Sequence, residues 1–246
     1  MIPGTPLNLY LPDASADELI DPPCYCYVAS DGKRTVIVDS GPDRILAGAA
    51  GLEIWGDTTE LLVAALRVFG VDPADVMYVV HTHLHYDHMQ NDLLFPNATV
   101  LVQRAEVQWA TGPDCDRFYL GVRELVTALG DRLQMVEGDA ELFPGFSVVL
   151  SQGHTPGHQS VLVHTAAGVV CLCGDIVSLF ANLDVVGSVC PNLQQTRAFL
   201  DRARIGGWKM VPSHDPKLRE HRWYIGPFGD ETRMSLQPET KGTDLS

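Results

Sequence analysis

The segment His83-Leu84-His85-Tyr86-Asp87-His88 constrains this chain more than any other. Imidazoles and a carboxylate gathered this tightly are costly to hold together unless a cation neutralises and orders them. Neutral imidazole nitrogen and carboxylate oxygen are the donors that borderline divalent metals such as zinc take. The spacing matters as well as the content. His83 and His85 are two apart, so on an extended segment they project to one side and can grip one ion. Asp87 and His88 follow where the chain is expected to turn into a helix, facing a second ion beside the first. The plain alternative is an accidental His-rich tract or a solvated loop, and it weakens if more ligands stand downstream.

They do, in chain order. His154 lies in Gly153-His154-Thr155-Pro156-Gly157-His158, after the apolar run Phe146 to Leu150. Asp175 follows the run Val169 to Cys173, and His214 lies in Val211-Pro212-Ser213-His214-Asp215-Pro216. Each stands just past a strand-like segment, at a Gly- or Pro-punctuated turn, where an α/β scaffold presents functional groups at its sheet edge. Together with the first segment these residues can fill two adjacent metal positions, with Asp175 between them.

These motifs resemble those of metallo-β-lactamase-fold hydrolases, and within them the dinuclear-zinc lactonases that open N-acyl-homoserine lactones. The resemblance runs from Thr35-Val36-Ile37-Val38-Asp39-Ser40-Gly41 to His214-Asp215. The HxHxDH pattern carries the superfamily. Gly153-His154-Thr155-Pro156-Gly157-His158-Gln159-Ser160 is similar to the lactonase branch and occurs in related thioesterases too. The resemblance implies an α/β fold of the αββα sandwich type, two mixed sheets flanked by helices, in a single domain over 1–246 with a polar tail after about 217. It implies two divalent metal ions, zinc first and Mn, Fe or Co as substitutes. His83, His85 and His154 would hold the first ion, Asp87, His88 and His214 the second, with Asp175 bridging. A hydroxide between the ions is then the nucleophile, since metal binding lowers the pKa of water from 15.7 towards ~7. Asp87 or Asp175 passes the proton to the leaving group.

Asp39 is expected to orient a ligand histidine, a support worth roughly 10–100-fold in metal affinity or activity. His158 is expected to hydrogen-bond near the site, and Tyr86 to pack against its wall. His81 is read as a strand-end packing residue, His164 and His221 as incidental. Trp55 and Trp109 line either a pocket or the core. One departure is marked: the lactonases carry a tyrosine three residues after the bridging aspartate, and here that position is Ser178. A serine hydroxyl is too short to replace a phenol at that reach, and loss of one oxyanion donor costs ~10²–10³ in turnover. Met89-Gln90-Asn91 also replaces a Gly-rich segment, so the substrate pocket is where this chain is expected to differ.

Composition narrows the chemistry further. A formal net charge of −14 disfavours a polyanionic partner, because nucleic-acid affinity rests on clustered cations. The expected partner is therefore a small lactone or ester, not nucleic acid, with a homodimer implied by the resemblance. A glyoxalase-II-like thioesterase and a mononuclear-iron persulfide dioxygenase stay open as alternatives on ligands alone. Cys24/Cys26 and Cys171/Cys173 read as small apolar residues inside buried strands. No apolar stretch is long enough to span a membrane, and Met1-Ile2-Pro3-Gly4 has no signal-peptide character, so a reducing cytoplasm is expected.

Strands are expected near 24–29, 34–39, 76–80, 98–102, 132–136, 146–150, 160–165, 168–173 and 208–212. Helices are expected from Asp57-Thr58 to Gly70, around 104–110 and 117–129, and near 193–205. The first of these should turn Leu61, Leu62, Ala65 and Val68 inward.

Overall fold

The computed structural model describes residues 1–56 and 58–220. A short antiparallel pair, β1 (Thr5–Pro6) and β2 (Leu19–Ile20), precedes two larger sheets. The first sheet runs β3 (Tyr27–Ser30), β4 (Thr35–Val38), β5 (Val76–Val80), β6 (Thr99–Gln103) and β7 (Leu133–Val136), in that spatial order. Its β3–β4 pair is antiparallel and the remaining pairs are parallel. The second contains β8 (Ala140–Phe143), β9 (Phe146–Leu150), β10 (Gln159–Thr165), β11 (Gly168–Leu172) and β12 (Lys209–Val211), antiparallel except for β11–β12. Helices α1 (Arg44–Ala49), α2 (Thr58–Val68), α3 (Tyr86–Met89), α4 (Arg104–Ala110), α5 (Val122–Leu129) and α6 (Leu193–Gly206) occupy the crossovers. Two mixed sheets flanked by helices are the αββα sandwich expected from the sequence.

The period-two alternation of the strands builds the layers. Val36, Val38, Val80, Leu101, Val148, Val161, Val163, Val170 and Leu172 meet in one core between the sheets. Their strand neighbours face outward. Ile37, Val79 and Val100 pack with Leu62 and Leu66 of α2, while Val149, Leu162 and Cys171 pack with Phe199 and Leu200 of α6. Each strand thus contributes to two apolar layers, which is why the sequence shows nearly continuous apolar runs there.

Several expectations shift. In α2 only Leu62 and Leu66 of the apolar positions are buried; Leu61 and Val68 are 62% and 82% exposed. The buried stripe is displaced from the predicted one, taking in Leu66 and leaving out Leu61, Ala65 and Val68; Leu61 and Ala65 line a cavity that Leu62 and Leu66 also border. Cys24 and Cys26 are half-buried and precede β3, whereas Cys171 ends in β11 as expected and Cys173 follows it. Helix α1 and strand β8 have no counterpart in the sequence reading. The N-cap Asp43 of α1 accepts from the Ile45 and Leu46 amides at 2.7 and 2.9 Å, a signal hidden by the short helix behind it. Helix α5 starts at Val122, after Gly121 at φ 68°. Asp57, His221 and the tail beyond lie outside the described residues.

Candidate metal centre

Parallel strands deliver their ends to one sheet edge, and the chemistry collects there. Asp39 follows β4 and His81 to His88 follow its parallel neighbour β5; Asp175 follows β11 and His214 follows its parallel neighbour β12. His154 sits in the turn between β9 and β10. The two sheets are pinned beside the site by Gln159, whose amide nitrogen donates to Thr82 O at 2.8 Å and whose side chain donates to His81 O at 2.7 Å.

Three imidazoles converge first. His154 Nε2 lies 3.2 Å from His83 Nε2 and 3.1 Å from His85 Nδ1. The other ring nitrogens decide where the hydrogens are. His154 Nδ1 is 2.6 Å from Val189 O, and a carbonyl only accepts, so Nδ1 carries the hydrogen. His83 Nδ1 lies 3.1 Å from Thr82 Oγ1, whose own hydrogen goes to Asp39 Oδ2 at 2.8 Å. The Nε2 atoms of His83 and His154, turned away from these partners, face each other. Burial, then the neighbouring imidazoles, hold His83 well below the usual histidine range and His85 down to about 3. Three imidazole nitrogens facing one point form an arrangement that an electrophile among them would satisfy. This donor set suits a divalent cation.

A second group adjoins it and contains the carboxylates. His214 Nε2 lies 3.0 Å from Asp175 Oδ1 and 3.5 Å from Asp87 Oδ2. His214 Nδ1 donates to Pro23 O at 2.7 Å, and His88 Nδ1 to Asp39 Oδ2 at 2.9 Å. Among the described residues His88 Nε2 is buried without a hydrogen-bond partner, 3.3 Å from Asp175 Oδ1 and 3.4 Å from Asp87 Oδ2. Asp175 also lies 3.6 Å from His154 through Oδ2, so its two oxygens face both groups. Burial opposes charge throughout, yet Asp87, Asp175 and Asp39 hold the metal-free His88 above the ordinary range, and Asp175 does the same for His214. The carboxyls move the opposite way: burial pushes Asp87 and Asp175 up, but the imidazoles outweigh it and both fall. A cation would replace those protons.

The supports are as specific as the donors. Asp39 adopts φ 56°, the left-handed region in which aspartate is among the few tolerated residues. There its carboxylate accepts from Thr82 N, Thr82 Oγ1 and His88 Nδ1. His81 is more than packing: fully buried, it lies 2.8 Å from Asp92 through Nε2 and 3.6 Å from Asp39 through Nδ1, too long for a hydrogen bond. Burial lowers its pKa, but Asp92 and Asp39 outweigh this and bring it up to about 9. His158 places Nδ1 2.8 Å from Ser151 Oγ, and its ring lies 5.3 Å from that of His83. Gly174, at φ 61°, leaves room for it; a Cβ there would fall 2.6 Å from His158 Nε2. Tyr86 is buried with Ala47 and Ile54. Ser178 is buried with its hydroxyl on Asp175 O at 3.3 Å.

Three participants escaped the sequence reading. Glu106 of α4, fully buried, accepts from Leu84 N (3.0 Å), Tyr119 OH (3.0 Å), Thr155 Oγ1 (2.7 Å) and Gly157 N (3.1 Å). It ties the His83–His88 turn to the His154 turn. Tyr10 comes from the N-terminal segment, buried, with its carbonyl accepting from Asn182 Nδ2 at 2.7 Å. Burial, then the charges of Asp175 and Asp87, hold its phenol well above the usual range, so it stays protonated. Cys24 places its sulfur within 4.8 Å of an Asp87 oxygen and a His214 nitrogen. None of the three sits in a motif, so spacing could not reveal them.

A model of the metallo-beta-lactamase superfamily matches residues 19–214. The chain belongs to the metallo-β-lactamase superfamily. Among its superfamily relatives, an N-acyl homoserine lactonase of Bacillus sp. is 32% identical over 158 residues, 60% of this chain and 61% of the relative. The N-acyl homoserine lactonase AttM of Azorhizobium caulinodans is 34% identical over 177 residues, 63% of this chain and 64% of the relative. The chain thus spans less than two thirds of either relative's length. In fold it resembles a quorum-quenching N-acyl homoserine lactone lactonase, with TM-score 0.71, 23% identity, and 87% of this chain and 88% of the other covered. It also resembles AidC, a dizinc quorum-quenching lactonase solved with a product, at TM-score 0.67, 18% identity, and 89% and 81% coverage.

Proposed function

We propose that this chain is a two-metal hydrolase that opens a lactone or cleaves a related carboxylic ester. The observation that carries it is the gathering of His83, His85 and His154 in one donor group beside a second in which His88 and His214 meet the Asp87 and Asp175 carboxylates, with one hydrogen of each of four rings directed elsewhere. His83, His85 and His154 would hold one ion, Asp87, His88 and His214 the other, and Asp175 both. Zinc fits this nitrogen and oxygen set, and Mn, Fe or Co could substitute. Bound there, divalent ions supply Lewis acidity towards a carbonyl and lower the pKa of water.

The chain's own groups do the rest. Asp39, Val189 O and Pro23 O keep the ligand rings oriented. Asp87 is the carboxylate that accepts and returns a proton at the leaving oxygen. Tyr10, buried and held protonated by burial and the charges of Asp175 and Asp87, would be the donor to the oxygen on which negative charge develops. It supplies the phenol that Ser178 lacks. An apolar cavity of about 410 Å³, lined by Pro23, Cys24, Trp55, Leu61, Ala65 and Phe69, takes the substrate's hydrocarbon arm. N-acyl-homoserine lactones, carried by the lactonase relatives, have such an arm.

The same proposal takes 1–246 as one domain, since the two sheets share one core, and as a cytoplasmic homodimer without nucleic-acid or membrane partners. In support, the net charge is −14, and among the described residues no helix is long and apolar enough to cross a membrane. The test is metal analysis of purified protein with a proton-release assay across lactones, aryl esters and thioesters. About two ions per chain with lactone or ester opening is expected. One iron per chain with oxygen uptake on a persulfide, and no ester cleavage, would overturn the reading.

A further inference from the structure

The sulfur of Cys24 stands where an apolar residue would be expected. Among the described residues it has no hydrogen-bond partner, whereas Cys173 and Cys190 direct theirs to the carbonyls of Cys171 and Asp175 at 3.4 and 3.2 Å. Its position is not a chance of loop packing. The carbonyl of Pro23 accepts from His214 Nδ1 at 2.7 Å, the Tyr25 hydroxyl donates to Asp215 O at 3.1 Å, and the Tyr27 hydroxyl donates to Pro212 O at 2.8 Å. Residues on both sides of Cys24 are therefore fastened to the loop that carries His214. The consecutive prolines Pro22 and Pro23 stiffen the approach. The sulfur ends within 4.8 Å of both an Asp87 oxygen and a His214 nitrogen. The Asp87 carboxyl that shares this group also faces His88 Nε2, which is buried, has no hydrogen-bond partner among the described residues and lies 3.4 Å from Asp87 Oδ2.

We propose that Cys24 is an additional protein ligand of the second metal position, joining Asp87, His88, His214 and Asp175 as a thiolate. This rests on the two-metal reading above. On binding, the S–H proton leaves to solvent and a sulfur–metal bond forms, with no change of oxidation state. A thiolate among nitrogen and oxygen donors biases that position towards zinc, cobalt or cadmium and against manganese. The first position, built on His83, His85 and His154, keeps no such preference. The two positions of one site thus differ in softness.

The experiment loads metal-free protein with Co(II) and records its absorption, in parallel with a Cys24→Ser variant. The parent is expected to show a near-ultraviolet sulfur-to-cobalt charge-transfer band together with visible ligand-field bands. Cys24→Ser should keep the ligand-field bands, lose the charge-transfer band and hold its more weakly bound ion at least ~10-fold less tightly. Alkylation with iodoacetamide, mapped by peptide mass, gives a readout that needs no variant: zinc should protect Cys24 selectively. Two cobalt ions per chain without a charge-transfer band, or zinc loading that leaves Cys24 as reactive as before, would overturn the thiolate and leave the two-metal hydrolase standing. Failure of the chain to bind cobalt or zinc at all would overturn both.

Discussion

Glu106 offers the sharpest test of how the site is held together. Each of its carboxylate oxygens receives one backbone N–H and one hydroxyl: Leu84 N and Tyr119 OH on Oε1, Gly157 N and Thr155 Oγ1 on Oε2. In Glu106→Gln one oxygen becomes an NH₂ group. A hydroxyl can rotate and accept from it, but a backbone N–H cannot. Whichever way the amide is turned, one buried N–H therefore loses its acceptor. Such a loss costs about 1–3 kcal/mol. Burial outweighs these hydrogen bonds and holds the carboxyl above its ordinary range, so neutralising it relieves some desolvation and puts the expected cost at the low end. At about 2–4 °C per kcal/mol for a chain of this size, metal-free Glu106→Gln should melt a few degrees below its parent. Because Leu84 lies between the proposed ligands His83 and His85 and Gly157 follows His154 in its turn, zinc should also be surrendered faster to a chelator. Glu106→Ala leaves all four donors without their acceptor and should be worse on both measures. A Gln variant within about 0.5 kcal/mol of the parent, equally resistant to chelator, would refute the argument.

Asp175→Ala removes the carboxylate that faces both groups, so metal content and hydrolysis should fall together; full activity at unchanged metal content would show the centre to be misplaced. Tyr10→Phe should lower kcat ~10²-fold, as loss of an oxyanion donor does, with metal content intact; an unchanged kcat would remove the phenol from the reaction. Asp139 accepts from Arg202 at 2.6 Å and from Leu150 N at 2.9 Å. Burial pushes its carboxyl up, but these partners outweigh it and hold the pKa below normal. A carboxyl depressed by folding stabilises above its unfolded value of ~3.9 and loses that contribution as pH falls through the folded value. Urea midpoints should therefore separate parent from Asp139→Asn at neutral pH and converge in acid; a gap of constant size down to the acid limb would contradict this.

The donors were legible because local spacing and turn chemistry carry them: His83 and His85 alternate on one face, and His154, Asp175 and His214 follow apolar runs. Strand order in the sandwich also lies close to the sequence, since apolar runs such as Val36–Val38 and Val161–Val163 report burial on both faces. What stayed hidden was set by contacts across the chain. His81 looks like a strand end until Asp92 is placed at 2.8 Å from it. Glu106 reads as a solvated helical residue, because nothing local shows that Thr155 and Gly157 will close over it. Cys24 reads as a small apolar side chain, because its neighbours Asp87 and His214 are far along the chain. The buried stripe of α2, Leu62 with Leu66, departs from the predicted one because an exposed leucine at a cavity has the same sequence signature as one in a core.

That last feature divides a single helix between two kinds of constraint. Leu62 and Leu66 press on the first sheet and line the cavity as well, so replacing them opens voids that are felt as lost stability along with a changed cavity. Leu61 and Ala65 stand one position earlier on each turn and border the cavity beside Trp55 and Phe69. On the proposed reading their volumes would set how long or how branched a hydrocarbon arm can lodge there, while the sheet would scarcely register the exchange. Substrate preference can thus drift along one edge of the helix without dragging the fold with it, and a shape filter can be retuned while the catalytic donors stay untouched.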